Sequence, residues 1–169
     1  PVHPAGTAAS HNGSDNHVHT SFSTDSDTPM EQMVLKGIEL DLSSICFTDH
    51  IDYDFPDMGN GVEFLFDVDE YFAKLAALKE SYPQFELRRG VEIGLKPDLT
   101  ERCNALVHGY PFDFVIGSTH LVDNVDPYYP AFWEQYSENK FGYEQNVHSV
   151  ALYLLVRLQS SVRHNQQKY

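Results

Sequence analysis

The sequence predicts an α/β protein built on a parallel sheet with helical crossovers. Apolar, strand-like runs alternate with helical patterns in the order strand, helix, strand, helix, strand, helix, strand. The 169 residues suit one domain, and 41% of them are apolar, enough for a core. Four short segments place a histidine or a glutamate inside or at the end of such a run. In parallel α/β folds the site gathers at the carboxyl ends of the strands.

Residues 1–14, rich in Ala, Gly, Ser, Pro, His and Asn, read as a flexible arm or leader. The first strand ends in Asn16-His17-Val18-His19-Thr20, although 10–16 lacks an apolar run. Asp27 or Thr28 then caps a helix over 29–39 with Pro29 in its first turn. Met30, Met33, Val34 and Ile38 form its apolar face. A buried strand over 42–48 follows, then a loop over 52–68 long enough to carry function. The helix over 69–81 sets Tyr71, Phe72, Leu75 and Leu78 on one face, and Tyr82-Pro83 stops it. A strand over 85–93, a helix capped by Asp98 or Thr100 and running to 108, and a strand over 112–117 complete the series. Residues 136–169 read as a divergent tail with a second helical pattern over 142–158.

The net charge of −14, from 25 acids and 11 bases, argues against nucleic acid as the main partner. A phosphate ester would need bound cations to invert the local field. Cys46 and Cys103 lack CxxC spacing, so a reducing cytoplasm is the simplest context. No apolar stretch is long enough to span a bilayer, and no secretory leader is expected.

His17 and His19, separated by one residue on an extended strand, point the same way and can chelate one cation. Asp15 and Thr20 are placed to orient their rings. Asp49 and His50 diverge; His50 is the expected ligand and Asp49 a supporting residue. Glu92 interrupts an apolar run, and a buried carboxylate needs a partner or a metal. His120 ends the last strand. A lone strand-end histidine is ordinarily structural, but four coincident sites favour a metal centre. Imidazoles and a carboxylate without thiolate suit Zn, Mn or Fe in a hydrolytic site. Asp25 reads as a ligand or as a turn residue. Arg88 and Arg89 read more readily as a solvated strand edge than as a phosphate grip. The aromatic run 128–133 is either a lid on the substrate side or surface packing.

The segments Asp15-Asn16-His17-Val18-His19-Thr20, Phe47-Thr48-Asp49-His50, Gly90-Val91-Glu92-Ile93-Gly94 and Gly117-Ser118-Thr119-His120, the last preceded by Tyr110-Pro111-Phe112-Asp113, jointly resemble the PHP (polymerase and histidinol phosphatase) superfamily. The likeness covers about residues 15–135 and is greatest to the histidinol-phosphatase branch. It implies a distorted (β/α)7 barrel, incomplete here, with up to three divalent ions (Zn, Mn or Fe) at the strand ends. It implies hydrolysis of L-histidinol phosphate to L-histidinol and phosphate, in histidine biosynthesis. By motif, His17 and His19 hold one metal, Glu92 bridges, His120 holds the second, and Asp25 and His50 contribute to the third. Glu92, His120 and His50 would stand nearest the chemistry, and the partner would be a small phosphate ester. The family continues with Gly-His-x-Asp and Asp-x-His motifs; neither follows His120, and Asn146-Val147-His148-Ser149 is a poor substitute. The chain thus reads as the N-terminal half to two-thirds of such an enzyme. A homo-oligomer or a divergent closure would cover the open barrel. The alternatives are another PHP phosphoesterase, such as a protein-tyrosine phosphatase, or an inactive truncated fragment that binds metal without turnover.

Overall fold

The computed structural model describes residues 13–57, 59, 61, 63–130 and 132. The expected arm up to residue 12, the expected helical tail with His148 and His164, and Trp133 lie outside the described residues. The chain forms β1 (Ser14–Val18), α1 (Met30–Glu39), β2 (Ser44–Phe47), β3 (His50–Ile51), α2 (Val68–Ser81), β4 (Glu86–Gly94), a 3-10 turn (Pro97–Leu99), α3 (Thr100–Gly109) and β5 (Phe114–Ser118).

All the strands pair in parallel, as the crossovers require. β1 pairs with β2, while β2 and β3 pair with successive parts of β4, and β5 pairs with β4. β2 faces Glu86 to Arg89, and β3 faces Glu92 and Ile93. β2 and β3 are therefore one strand interrupted at Thr48 and Asp49. Counted so, the strands lie side by side in chain order and curl into a half-barrel with helices.

Side-chain alternation sorts the two faces. Ile45, Phe47 and Leu87 pack on Met30 and Val34 of α1 and on Tyr71, Leu75 and Leu78 of α2. Val91, Ile93 and Ile51 pack on Leu99, Cys103 and Leu106. The intervening residues Gly90, Glu92 and Gly94 take the opposite face, where the site forms. The Tyr71 hydroxyl lies 2.9 Å from both the Phe47 and the Gly90 carbonyl oxygens, tying α2 to β2 and β4.

Helix α1 departs from expectation in two ways. Neither Asp27 nor Thr28 caps it; Pro29 takes the N-cap position with extended backbone and no side-chain bond. Ile38 is 44% exposed, while Gly37 is buried. The helix rests on the sheet at Gly37, where a Cβ would lie 2.5 Å from Ile45 Cδ1 and 2.9 Å from Phe85 Cζ. Such close approach turns Ile38 outward. In α3, Leu99 takes the N-cap position, and no side chain caps the helix. Asp67 does cap α2, accepting from the Glu70 N–H. Among the described residues, no helix is long and apolar enough to cross a membrane.

Candidate metal centre

β1 is short and mostly exposed, but its register shifts between Asp15 and Val18. Irregularities of this kind re-aim side chains. His17 and His19 both reach Glu92 from here. Their Nε2 atoms lie 2.8 and 3.0 Å from Glu92 Oε2, and 3.0 Å from each other. His19 Nδ1 sits 2.8 Å from Asp25 Oδ2, so Asp25 orients that ring. Asp15 and Thr20 do not, contrary to expectation. Asp15 accepts from the His17 backbone N–H, and Thr20 bonds Asp49.

The fully buried Asp49 closes the break between β2 and β3. It accepts from the Thr20 N–H at 2.6 Å and from the Thr20 hydroxyl, joining the end of β1 to that of β2. Burial raises its pKa, and these bonds work against the rise. His50 diverges from it into the cluster. Its Nε2 lies 3.4 Å from Asp25 Oδ2 and 3.8 Å from Glu92 Oε2. Phe64, from the long loop, stands against the His50 ring.

β4 supplies Glu92, and β5 leads to Ser118 and His120. The Ser118 hydroxyl donates to Glu92 Oε1 at 2.5 Å, and His120 Nε2 lies 3.0 Å from the same oxygen. Two residues that sequence reasoning did not assign also belong here. Asp52 Oδ2 lies 2.6 Å from His120 Nδ1, and Ser118 fixes Glu92. Each had a signal in its spacing: Asp52 stands two residues after His50, and Ser118 two before His120.

The structure thus brings together His17, His19, Asp25, His50, Glu92 and His120. Three donor groups result: His17, His19 and Glu92; His19, Asp25 and His50; and His50, Asp52 and His120. A divalent cation fits the first of these most directly. In the first group three lone-pair atoms stand within 3.0 Å of one another, and protons cannot satisfy every edge of that triangle. A cation among them can. His50 Nδ1 and Asp52 Oδ1 are buried without a hydrogen-bond partner among the described residues. Oxygen and imidazole donors suit Zn, Mn or Fe.

Protons otherwise fill the cluster. Hydrogen bonding to Glu92 lifts His19 to about 9 against the effect of burial. Burial lowers His120, but bonds to Asp52 and Glu92 outweigh it and bring it to about 10. Burial pushes His50 down. It pushes Glu92 up, yet bonds from His120, His19, Ser118 and His17 hold that carboxyl far below the usual range. Protons and cations compete for such lone pairs.

The remaining candidates resolve simply. Arg89 forms a two-pronged pair with Asp113, and Arg88 pairs with Glu86, so the contacts of both suit a strand edge and not a phosphate grip. Tyr128 is exposed, and His108 lies exposed on α3 with Nδ1 near the Asn104 carbonyl.

A parallel half-barrel with an inward cluster of imidazoles and carboxylates at its strand ends defines the metal-site class of (β/α)-barrel proteins. Comparison with known proteins gives the family: residues 15–157 match the PHP domain, and the chain belongs to that family. It is 38% identical over 114 residues to a probable histidinol-phosphatase of Clostridium acetobutylicum, covering 68% of this chain and 42% of the relative. It is 32% identical over 115 residues to the histidinol-phosphatase of Lactococcus lactis, covering 68% of this chain and 41% of the relative. The crystal structure of the Lactococcus lactis histidinol phosphate phosphatase with zinc, L-histidinol and phosphate superposes with a TM-score of 0.63 and 31% identity. That match covers 68% of this chain and 43% of the other. The chain spans less than half the length of these relatives.

Proposed function

We propose that this chain forms part of a metal-dependent phosphomonoesterase that hydrolyses L-histidinol phosphate to L-histidinol and phosphate. One observation carries the reading: Glu92 turns Oε2 toward His17 and His19 and Oε1 toward His120. A carboxylate so placed suits two neighbouring cations, as in the two-metal clamp of phosphoryl transfer. His17 and His19 would hold one ion, Glu92 would bridge, His120 would hold the second, and Asp25 and His50 would contribute to a third. Bound there, the ions would supply Lewis acidity and a water acidified near neutral pH. The chain's own groups hold this arrangement. The Ser118 hydroxyl occupies a lone pair of Oε1, Asp25 fixes the His19 ring, and Phe64 shields His50. The names of the relatives and the ligands of the Lactococcus lactis structure support the substrate. We place the PHP unit at residues 15–135, with an arm before it and a divergent tail after. Two free, buried cysteines suit a reducing cytoplasm.

Phosphate release from L-histidinol phosphate, with Zn, Mn or Fe added, tests this. Turnover of that ester and not of phosphotyrosine peptides is the expected result. The reverse preference points to a phosphotyrosine-directed member of the family. Metal binding without turnover of either identifies an inactive fragment that binds metal.

A further inference from the structure

Asp52 lies behind two of the imidazoles that face Glu92. Its Oδ2 is 2.6 Å from His120 Nδ1, and its Oδ1 is 3.9 Å from His50 Nδ1. Across the rings, His120 Nε2 is 3.0 Å from Glu92 Oε1 and His50 Nε2 is 3.8 Å from Glu92 Oε2. Both rings therefore turn Nδ1 to Asp52 and Nε2 to the Glu92 side, where His50 Nε2 also lies 3.4 Å from Asp25 Oδ2. Asp52 Oδ1 and His50 Nδ1 are buried with no hydrogen-bond partner among the described residues. A small ring rotation would close the gap between them.

The seat for this carboxylate is made by Gly94. A Cβ at position 94 would stand 2.6 Å from Asp52 Cγ and closer still to Oδ1. The Asp52 N–H, donating to the Phe64 carbonyl at 2.8 Å, fixes the backbone from the other side. An ionised carboxylate only accepts, and it has one oxygen for each ring. An imidazole whose Nδ1 carries the proton offers its Nε2 lone pair.

We propose that Asp52, seated against Gly94, is a shared positioning residue that keeps the His120 and His50 rings turned with Nε2 toward Glu92. Its purpose rests on the cation reading above; its geometry does not. Carboxylate partners of metal-ligating histidines orient the ring and raise its basicity.

NMR of the imidazole N–H groups in the full chain, metal-free and with Zn²⁺, tests this. A hydrogen-bonded, downfield Nδ1–H signal is expected for His120, assigned by its loss in His120→Gln and retained when Zn²⁺ is added. Asp52→Asn keeps the shape but leaves one acceptor oxygen for two rings. It should displace the Nδ1–H signal of at least one ring and weaken Zn²⁺ binding roughly 10- to 100-fold. Gly94→Ala, which alters neither ring nor charge, should move both readouts the same way, and it carries the test if Asp52→Asn fails to fold by circular dichroism. Unmoved signals with Zn²⁺ affinity within about two-fold of wild type overturn the proposal, being far below the expected loss. Extinction of the His120 Nδ1–H signal by Zn²⁺ in the wild type also overturns it, because Nδ1 would then be ligating. If the wild type binds no Zn²⁺, the cation reading fails, and the metal-free signal alone decides the role of Asp52. Displacement or loss of an Nδ1–H signal in Asp52→Asn sustains the positioning role, and unmoved signals overturn it.

Discussion

Glu92 receives three imidazoles and a hydroxyl on two oxygens while 5% of its side chain is exposed. A carboxylate so deeply buried needs compensating positive charge. Glu92→Gln keeps the shape and removes the charge. Phosphate release should fall by at least roughly 100-fold, the lower end of what losing a preorganised electrostatic group costs. Far-UV circular dichroism should be unchanged; near-normal turnover with metal bound would show that Glu92 bridges nothing. Cys46 is a contrasting case. It is buried, with its thiol pushed up to about 11 by desolvation. We expect no alkylation of Cys46 in the native chain at mildly alkaline pH and full alkylation on unfolding; rapid native reaction would contradict its inert, structural role. Glu92 was legible in the sequence because a charge inside an apolar strand has few explanations. Asp52 was not, because its strand is only His50 and Ile51 and it therefore read as loop.

At the scale of elements, β4 is the axis of the site, and its two glycines set what its neighbours can do. At Gly90 a Cβ would meet the Phe47 carbonyl oxygen at 2.5 Å and Cys46 Sγ at 2.7 Å. Backbone cannot step aside as a side-chain tip can. Gly90→Ala should destabilise by roughly 1–3 kcal/mol, as overpacking does, measured by denaturant midpoint. β4 is also clamped to β5 by Arg89 and Asp113. The Arg89 side chain holds the Asp113 carboxyl at about 2, below its ordinary 3.8. A depressed carboxyl contributes stability above its unfolded pKa and loses it as pH falls through the folded value. The contribution of this pair is therefore present at neutral pH and fades between about 4 and 2. The pair is about one-third exposed, so solvent screening limits it to roughly 0.5–1 kcal/mol. Asp113→Asn should be less stable than wild type at pH 7 and equal to it near pH 2; a difference that persists there would assign the effect to packing. The order of elements was readable from periodicity alone. Their ends were not: β2 and β3 form one interrupted strand because the Asp49 carboxylate and the Thr48 N–H both bond to β1 or the residues just after it. Likewise, Ile38 fits the helical pattern, but packing at Gly37 turns it out.

For the whole molecule, the question is whether this stretch of barrel holds its ions by itself. The first two donor groups share His19 and the last two share His50, so they form one coupled cluster. Taken singly, each offers three candidate donors, though a shared imidazole nitrogen serves one ion at a time and Asp52 faces the Nδ1 side of its two rings; zinc usually completes a fourth position with another residue or with water. Three donors with an open position are the pattern of catalytic zinc sites. The net charge of −14 also favours cation capture over anion binding. Purified chain reconstituted with Zn²⁺ should therefore retain about two or more equivalents, because water can fill each remaining position. His17→Ala should lose about one of them, since His17 belongs to the first group only. Elemental mass spectrometry on both proteins decides this. Less than about one equivalent after reconstitution would mean that three donors per ion are too few here, and that the cluster requires a fourth ligand from outside the described residues. Turnover would then be sought only in an assembly that supplies it.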